Sequence, residues 1–234
     1  LKAGYFLGET SEITRNRYMV AQAAVAPGTY RKISGNEAIA LGLIAGAKKS
    51  GRDMLFSGYP ITPATSILEA LAAYKHFGVK TVQAEDEIAA IGVALGASFA
   101  GQVGATATSG PGMCLKSEFI GLATSTELPL VIIDVQRGGP STGLPTKTEQ
   151  SDLLQALYGR HGESPLPVVA PSSPSDCFRA AFEAVQMALE YSVPVIFLTD
   201  GYLANGSEPW KLPDESNLRE ITKPFADLDK PYVP

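Results

Sequence analysis

The run Leu130-Val131-Ile132-Ile133-Asp134-Val135 is what most limits the folds open to this chain. An almost wholly apolar strand has to be covered on both faces, as in a parallel sheet lying under two layers of helices. The rest of the sequence repeats the demand. Further strands are predicted at Met54-Leu55-Phe56, Lys80-Thr81-Val82-Gln83, Ala105-Thr106-Ala107-Thr108, Pro167-Val168-Val169 and Pro194-Val195-Ile196-Phe197-Leu198-Thr199. Helical patterns separate them. The first starts at the capping-box spacing Ser34-Gly35-Asn36-Glu37 and stops near Gly51. Others cover Ser66–Tyr74, Glu87–Phe99, Leu115–Thr124 and Ser151–Tyr158. The last opens at Ser173-Pro174-Ser175-Asp176, with Pro174 in the first helical position, and runs to about Tyr191. This alternation predicts an α/β fold, a mainly parallel sheet with helices on both faces.

In such sheets ligands bind beyond the carboxyl ends of the strands. That rule selects the loops at Tyr59, Ala84, Ser109, Gln136 and Thr199. Residues 1–31 lack a sustained period and are read as an entry segment or linker. The domain then spans 32–205, and 206–234 is an exit linker ending on the Pro-rich stretch Asp227–Pro234. With Leu1 at the start, these ends suggest a piece of a longer polypeptide.

The net charge of −5, without any basic run, gives no support for nucleic-acid binding. No apolar run reaches the roughly 18 residues of a membrane span, and no leader is visible. A cytoplasmic protein is expected. The two cysteines, Cys114 and Cys177, show no CxxC spacing and cannot hold a four-iron cluster alone. Cys114 is expected to be a packing residue on a buried helix, and Cys177 another helix residue with nothing beside it to activate a thiolate. His76 and His161 lie in polar stretches and are read as surface residues, and no metal-ligand set is proposed.

Chemistry is concentrated elsewhere. Tyr59-Pro60-Ile61-Thr62-Pro63 makes a rigid turn that is neither strand nor helix. Glu87, in Gln83-Ala84-Glu85-Asp86-Glu87, opens a helix that reads apolar all round. Either a dry cofactor-binding carboxylate or a helix-start acid complementing the dipole fits that position. Ser109-Gly110-Pro111-Gly112 and Gly138-Gly139-Pro140 match neither the dinucleotide fingerprint nor the Walker loop, and read as tight turns. A helix starting after Gly112 offers a polar end. Arg137 follows the most apolar strand and can hold a carboxylate through two parallel hydrogen bonds, or pair with a surface acid. Thr146 and Lys147 add donors nearby.

Four motifs in this order resemble the 2-oxoacid:ferredoxin oxidoreductases. They are Tyr59-Pro60-Ile61-Thr62-Pro63, Glu85-Asp86-Glu87, Thr108-Ser109-Gly110-Pro111-Gly112 and Gln136-Arg137-Gly138-Gly139-Pro140-Ser141-Thr142-Gly143. The likeness covers about 32–205 and is greatest to the alpha subunit of the 2-oxoglutarate type. Residues 1–31 resemble the junction of a gamma domain fused ahead of alpha. The resemblance implies the pyrimidine-binding domain for thiamine diphosphate, with Tyr59, Pro60, Ile61, Ser109 and Gly110 at the cofactor. It implies that Glu87 hydrogen-bonds N1′ of the aminopyrimidine as the catalytic group. By the same likeness Thr62, Arg137 and Thr146 bind the substrate. Mg²⁺ and a [4Fe–4S] cluster would belong to a beta subunit, because Thr199-Asp200-Gly201 lacks a leading Gly and Asn217 follows too soon for the usual diphosphate motif. The implied reaction converts a 2-oxoacid and coenzyme A reversibly to acyl-CoA and CO₂, passing electrons to ferredoxin. A dimer of heterodimers is expected. The alternatives are pyruvate or a branched-chain 2-oxoacid as substrate, or a scaffold domain that has lost the chemistry.

Overall fold

The computed structural model describes residues 1–11 and 18–222, so the Pro-rich end of the expected exit linker lies outside the described residues. The chain runs α1 (Lys2–Thr10), β1 (Tyr30–Ser34), α2 (Gly35–Lys49), β2 (Met54–Gly58), α3 (Thr65–Ala73), β3 (Val79–Gln83) and α4 (Glu87–Phe99). It continues through β4 (Val103–Thr108), α5 (Gly110–Ser125), β5 (Leu130–Gln136), α6 (Leu153–Tyr158) and β6 (Val168–Val169). It closes with α7 (Asp176–Tyr191), β7 (Pro194–Asp200), α8 (Gly201–Asn205) and β8 (Ser207–Lys211). Six strands form one parallel sheet in the order β3-β2-β4-β5-β7-β6, the mainly parallel α/β architecture expected.

Alternate residues of β5 explain why that strand is apolar throughout. Val131, Ile133 and Val135 enter the core under α2, α3 and α7, while Leu130 and Ile132 enter the core under α4, α5 and α6. Burying both faces in this way is the dominant stabilising contribution, at about 25 cal/mol per Å² of apolar surface. The α2 start is as predicted: Ser34 Oγ accepts from the Glu37 amide at 3.4 Å. No helix among the described residues is long and apolar enough to cross a membrane.

Several elements differ from expectation. A nine-residue helix, α1, lies within the expected entry segment, and none of its residues is buried. A second sheet pairs β1 with β8 antiparallel, so ordered packing extends beyond 32 at one end and 205 at the other. Ile33 anchors that ladder in the core and Trp210 packs against Phe178 with tilted rings 5.1 Å apart. Pro209 is tolerated because the strand is an edge. Pro174 lies outside α7, whose N-cap is Ser175, because the Glu208 carboxylate accepts from the Ser175 amide and Ser173 Oγ, each at 2.6 Å.

The largest shift is in α5, which begins at Gly110 rather than Leu115. The segment read as a tight turn is the first helical turn. Pro111 fits there because the amide it lacks would have had no helical partner.

Candidate functional site

The order β3-β2-β4-β5 reverses direction between β2 and β4, since β2 leads outward to β3 and β4 leads the other way to β5. The crevice beyond the carboxyl ends of two such strands is where open α/β sheets bind ligands. Tyr59 follows β2, Thr108 ends β4, and α4 and α5 both begin at this end. The Tyr59 hydroxyl and Thr108 Oγ1 share a buried hydrogen bond of 2.8 Å. Gly112 lies against them. A Cβ there would overlap Thr108 Oγ1, stand 2.5 Å from Tyr59 Oη and 3.1 Å from Glu87 Cγ. Three residues from three other segments therefore meet around one glycine.

The acidic cluster before α4 divides its work. Glu85 is exposed, and Asp86 caps the helix, its Oδ1 accepting from the Ala89 amide at 2.8 Å. The capping role is thus filled by Asp86, which leaves the half-buried Glu87 carboxylate at the crevice. The α4 sequence is apolar all round, but only part of its surface is covered within this chain. One side of α4 packs through Ala90, Ile91, Ala94 and Leu95, while Ile88, Val93 and Phe99 are exposed. Burial and the nearby Glu87 charge both push the Tyr59 phenol well above its ordinary value, while its bond with Thr108 pulls it down. Tyr59 therefore remains a neutral hydroxyl.

Arg137 joins the two remaining motifs. Its Nη1 donates to the Thr62 carbonyl at 2.7 Å and its Nη2 to the Thr142 carbonyl at 2.6 Å, with the residue only 6% exposed. The surface ion pair considered from sequence is not what the guanidinium makes. Two of its five N–H groups hold backbone, and the buried Nε has no partner. The loop after Arg137 is closed by Gly138 N to Lys147 O and Leu144 N to Gly138 O, both 2.8 Å. Its tight form needs Gly143, at φ +60°, where a Cβ would overlap the Gly138 carbonyl. A cavity of about 130 Å³ results, lined by Thr62, Arg137, Thr146, Lys147 and Asn205 among others. Thr62 and Thr146 are exposed residues on its lining.

The other expected site residues are placed less directly. Pro60 is exposed, and the Ile61 amide donates to Thr65 Oγ1 at 2.8 Å, fixing the turn. Ser109 and Gly110 are buried, with Ser109 Oγ unpartnered and Gly110 backed by Asp152. Cys114 is exposed, contrary to its expected packing role, and accepts from Gln155 Nε2 at 3.0 Å. Cys177 is buried, and burial pushes its thiol up to about 12. Asp200 caps α8, accepting from the Tyr202 amide at 2.6 Å, and also accepts from Gln150 at 2.7 Å. Among the described residues no group of three or more His, Cys, Asp or Glu is placed to hold a metal ion.

Two buried charged features escaped the sequence reading. Lys116 lies on the core side of α5. Asp134, on β5 beside Thr108, is fully buried with neither carboxylate oxygen meeting a donor, and its neighbour is the Asp152 carboxyl. Two acceptors in contact need a proton between them. Burial first, and the Asp152 charge second, hold Asp134 well above the usual carboxylate range. A raised acid keeps its proton when folded and sheds it when unfolded. Its stabilising contribution is therefore full below the ordinary Asp value and lost as pH rises towards the folded value. Asp134→Asn is expected to flatten that decline. In thermal melts from pH 5 to pH 8 the variant should gain on wild type as pH rises, and parallel curves would contradict the shared proton.

The sequence from residue 46 to 234 matches the family described as "Pyruvate flavodoxin/ferredoxin oxidoreductase, thiamine diP-bdg". The 2-oxoglutarate oxidoreductase subunit KorA of Mycobacterium tuberculosis is 56% identical over 234 residues, which is 100% of this chain and 36% of that protein. The 2-oxoglutarate synthase subunit KorA of Methanothermobacter marburgensis is 45% identical over 195 residues, 83% of this chain and 51% of that protein. A solved 2-oxoglutarate:ferredoxin oxidoreductase from Magnetococcus marinus, with 2-oxoglutarate, coenzyme A and succinyl-CoA bound, superposes with a TM-score of 0.89 at 40% identity. That match covers 99% of this chain and 39% of the other. The chain spans between about a third and a half of the length of these relatives.

Proposed function

The chain belongs to the thiamine-diphosphate-binding family of pyruvate flavodoxin/ferredoxin oxidoreductases, and on that premise we propose that it supplies the aminopyrimidine half of a cofactor site. The whole enzyme would oxidise 2-oxoglutarate with coenzyme A to succinyl-CoA and CO₂, with ferredoxin as electron acceptor, in the cytoplasm. The observation that carries this reading is the meeting of Glu87, Tyr59 and Thr108 around Gly112 at the sheet's switch point.

These residues fit an aminopyrimidine. A half-exposed carboxylate freed of capping duty can share a proton with a ring nitrogen at N1′, and the neighbouring α4 surface is apolar enough to receive a flat ring. When bound, thiamine diphosphate supplies the carbanion chemistry of decarboxylation. The chain's own part is to hold the pyrimidine edge, exclude water through Tyr59 and the α4 surface, and bind the 2-oxoacid. For the last task, Arg137, Thr62 and Thr146 line the 130 Å³ cavity, and the two backbone bonds of Arg137 leave one N–H on each of Nη1 and Nη2 free for a carboxylate. Lys147 adds a second cation, which suits a dicarboxylate. The diphosphate, Mg²⁺ and an iron–sulfur cluster are assigned to a beta subunit, in a dimer of heterodimers.

Residues 1–234 alone, given thiamine diphosphate, coenzyme A and 2-oxoglutarate, should reduce no ferredoxin, and clear turnover would contradict this division between subunits. In the assembled enzyme Arg137→Lys should raise the 2-oxoglutarate KM by about 10–100-fold, since each hydrogen bond to a charged group is worth about 1.5–3 kcal/mol. Pyruvate, lacking the distal carboxylate, should be turned over more slowly than 2-oxoglutarate by wild type. An unchanged KM in Arg137→Lys would remove Arg137 from substrate binding.

A further inference from the structure

Lys116 is a lysine where a methionine would pack. It shares the buried side of α5 with Met113, Ile120 and Ala123, and none of its surface is exposed. Ordering and dehydrating such a side chain costs several kcal/mol, by order of magnitude. Among the described residues no carboxylate lies within salt-bridge distance of its Nζ. Instead Nζ donates to the Glu87 main-chain carbonyl at 2.6 Å and stands over the Tyr59 ring, 5.1 Å from its centroid. Both are attractive contacts for a dehydrated cation. They also join the residue proposed to hold the pyrimidine to the residue that walls the crevice.

We propose that Lys116 is a positioning residue for Glu87, clamping the first turn of α4 and the Tyr59 ring so that the Glu87 carboxylate is held at the pyrimidine edge. This rests on the cofactor role given to Glu87 above. The clamp acts through a carbonyl, so Lys116 itself need touch neither cofactor nor substrate. The charged groups around it are Asp86 and Glu87 on α4, with the Tyr59 hydroxyl and, beyond Tyr59, Arg137. Burial pulls the ammonium down to about 8, opposed by the Glu87 and Asp86 charges. The clamp is therefore intact at neutral pH and weakens as pH rises through that value.

The test uses the full-length enzyme assembled with its partner subunit, stripped of cofactor and then reloaded. In the stripped form, Lys116→Met should speed deuterium uptake by the α4 first-turn amides at least 10-fold, against unchanged uptake in α7. On reloading, its thiamine diphosphate affinity should fall about 10-fold or more, and kcat should fall with the 2-oxoacid KM unchanged. Wild type should show the same loosening of α4 between pH 7 and pH 9, beyond the intrinsic pH dependence of exchange. If Lys116→Met does not assemble, Lys116→Gln, which removes the ammonium and keeps a polar side chain, takes its place in the same exchange and affinity measurements. Lys116→Arg, charged throughout, should not loosen with pH. Unchanged exchange and affinity in the Lys116 variant that assembles would overturn the clamp. Glu87→Gln is the companion variant. If it binds cofactor and turns over like wild type, the cofactor reading itself fails, whatever Lys116 does.

Discussion

Glu87→Gln is expected to lower 2-oxoglutarate-dependent ferredoxin reduction by the assembled enzyme about 100–10,000-fold, the range for removing a positioned acid–base group. The substitution keeps the side chain's size and removes only its ability to take and return a proton. Folding should be unaffected, because Asp86 and not Glu87 caps α4. Tyr59 retains its bond with Thr108, so the crevice keeps its shape. The loss should appear in kcat, with subunit assembly and the substrate KM close to wild type. Activity near wild type would favour a scaffold domain that keeps the fold without the chemistry.

Gly112→Ala is the second large effect, and it works through space. The added methyl would overlap Thr108 Oγ1 and crowd both Tyr59 Oη and Glu87 Cγ. Something must move: the start of α5, the Tyr59–Thr108 bond, or the first turn of α4. Overpacking of this kind costs about 1–3 kcal/mol in stability. Because the residues displaced are those of the site, a shift of about 1 Å should cost on the order of 100-fold in activity as well. Gly121 on the same helix is the control. A Cβ there meets nothing within 4 Å, so Gly121→Ala should stabilise by about 0.5–1 kcal/mol through the unfolded chain and leave turnover alone. Thermal melts and turnover of both variants test the pair. Equal effects at Gly112 and Gly121 would show that no close approach exists at the crevice.

The sheet was legible because its signals are local. Leu130–Gln136 announces a strand buried on both faces, and Ser34 with Glu37 announces a helix start. What escaped depends on distant partners. β1 and β8 are short, largely exposed and far apart in sequence, and Pro209 argues against a strand until its partner is known. The start of α5 was hidden because Gly110-Pro111-Gly112 has the poorest helical propensity available, whereas its glycine is required by close approach to Thr108.

The site followed the same logic. Thr62, Arg137 and Thr146, named from separate motifs, line one cavity. Tyr59 and Glu87 converge at Gly112. Ser109 and Gly110 instead lie buried at the α5 start, and Arg137 holds backbone carbonyls that no motif records. Lys116 and Asp134 carried a visible signal, a charge set in an apolar helical stripe and one set in an apolar strand. Composition alone does not tell such residues from errors of register, and only their partners give them meaning.

The central claim is that Glu87 governs proton transfer at the cofactor. Its most direct test is hydrogen–deuterium exchange at C2 of the bound thiazolium, quenched and read by NMR, in wild type and Glu87→Gln at equal cofactor occupancy. At least 100-fold slower exchange in the variant is predicted, and equal rates would contradict the account.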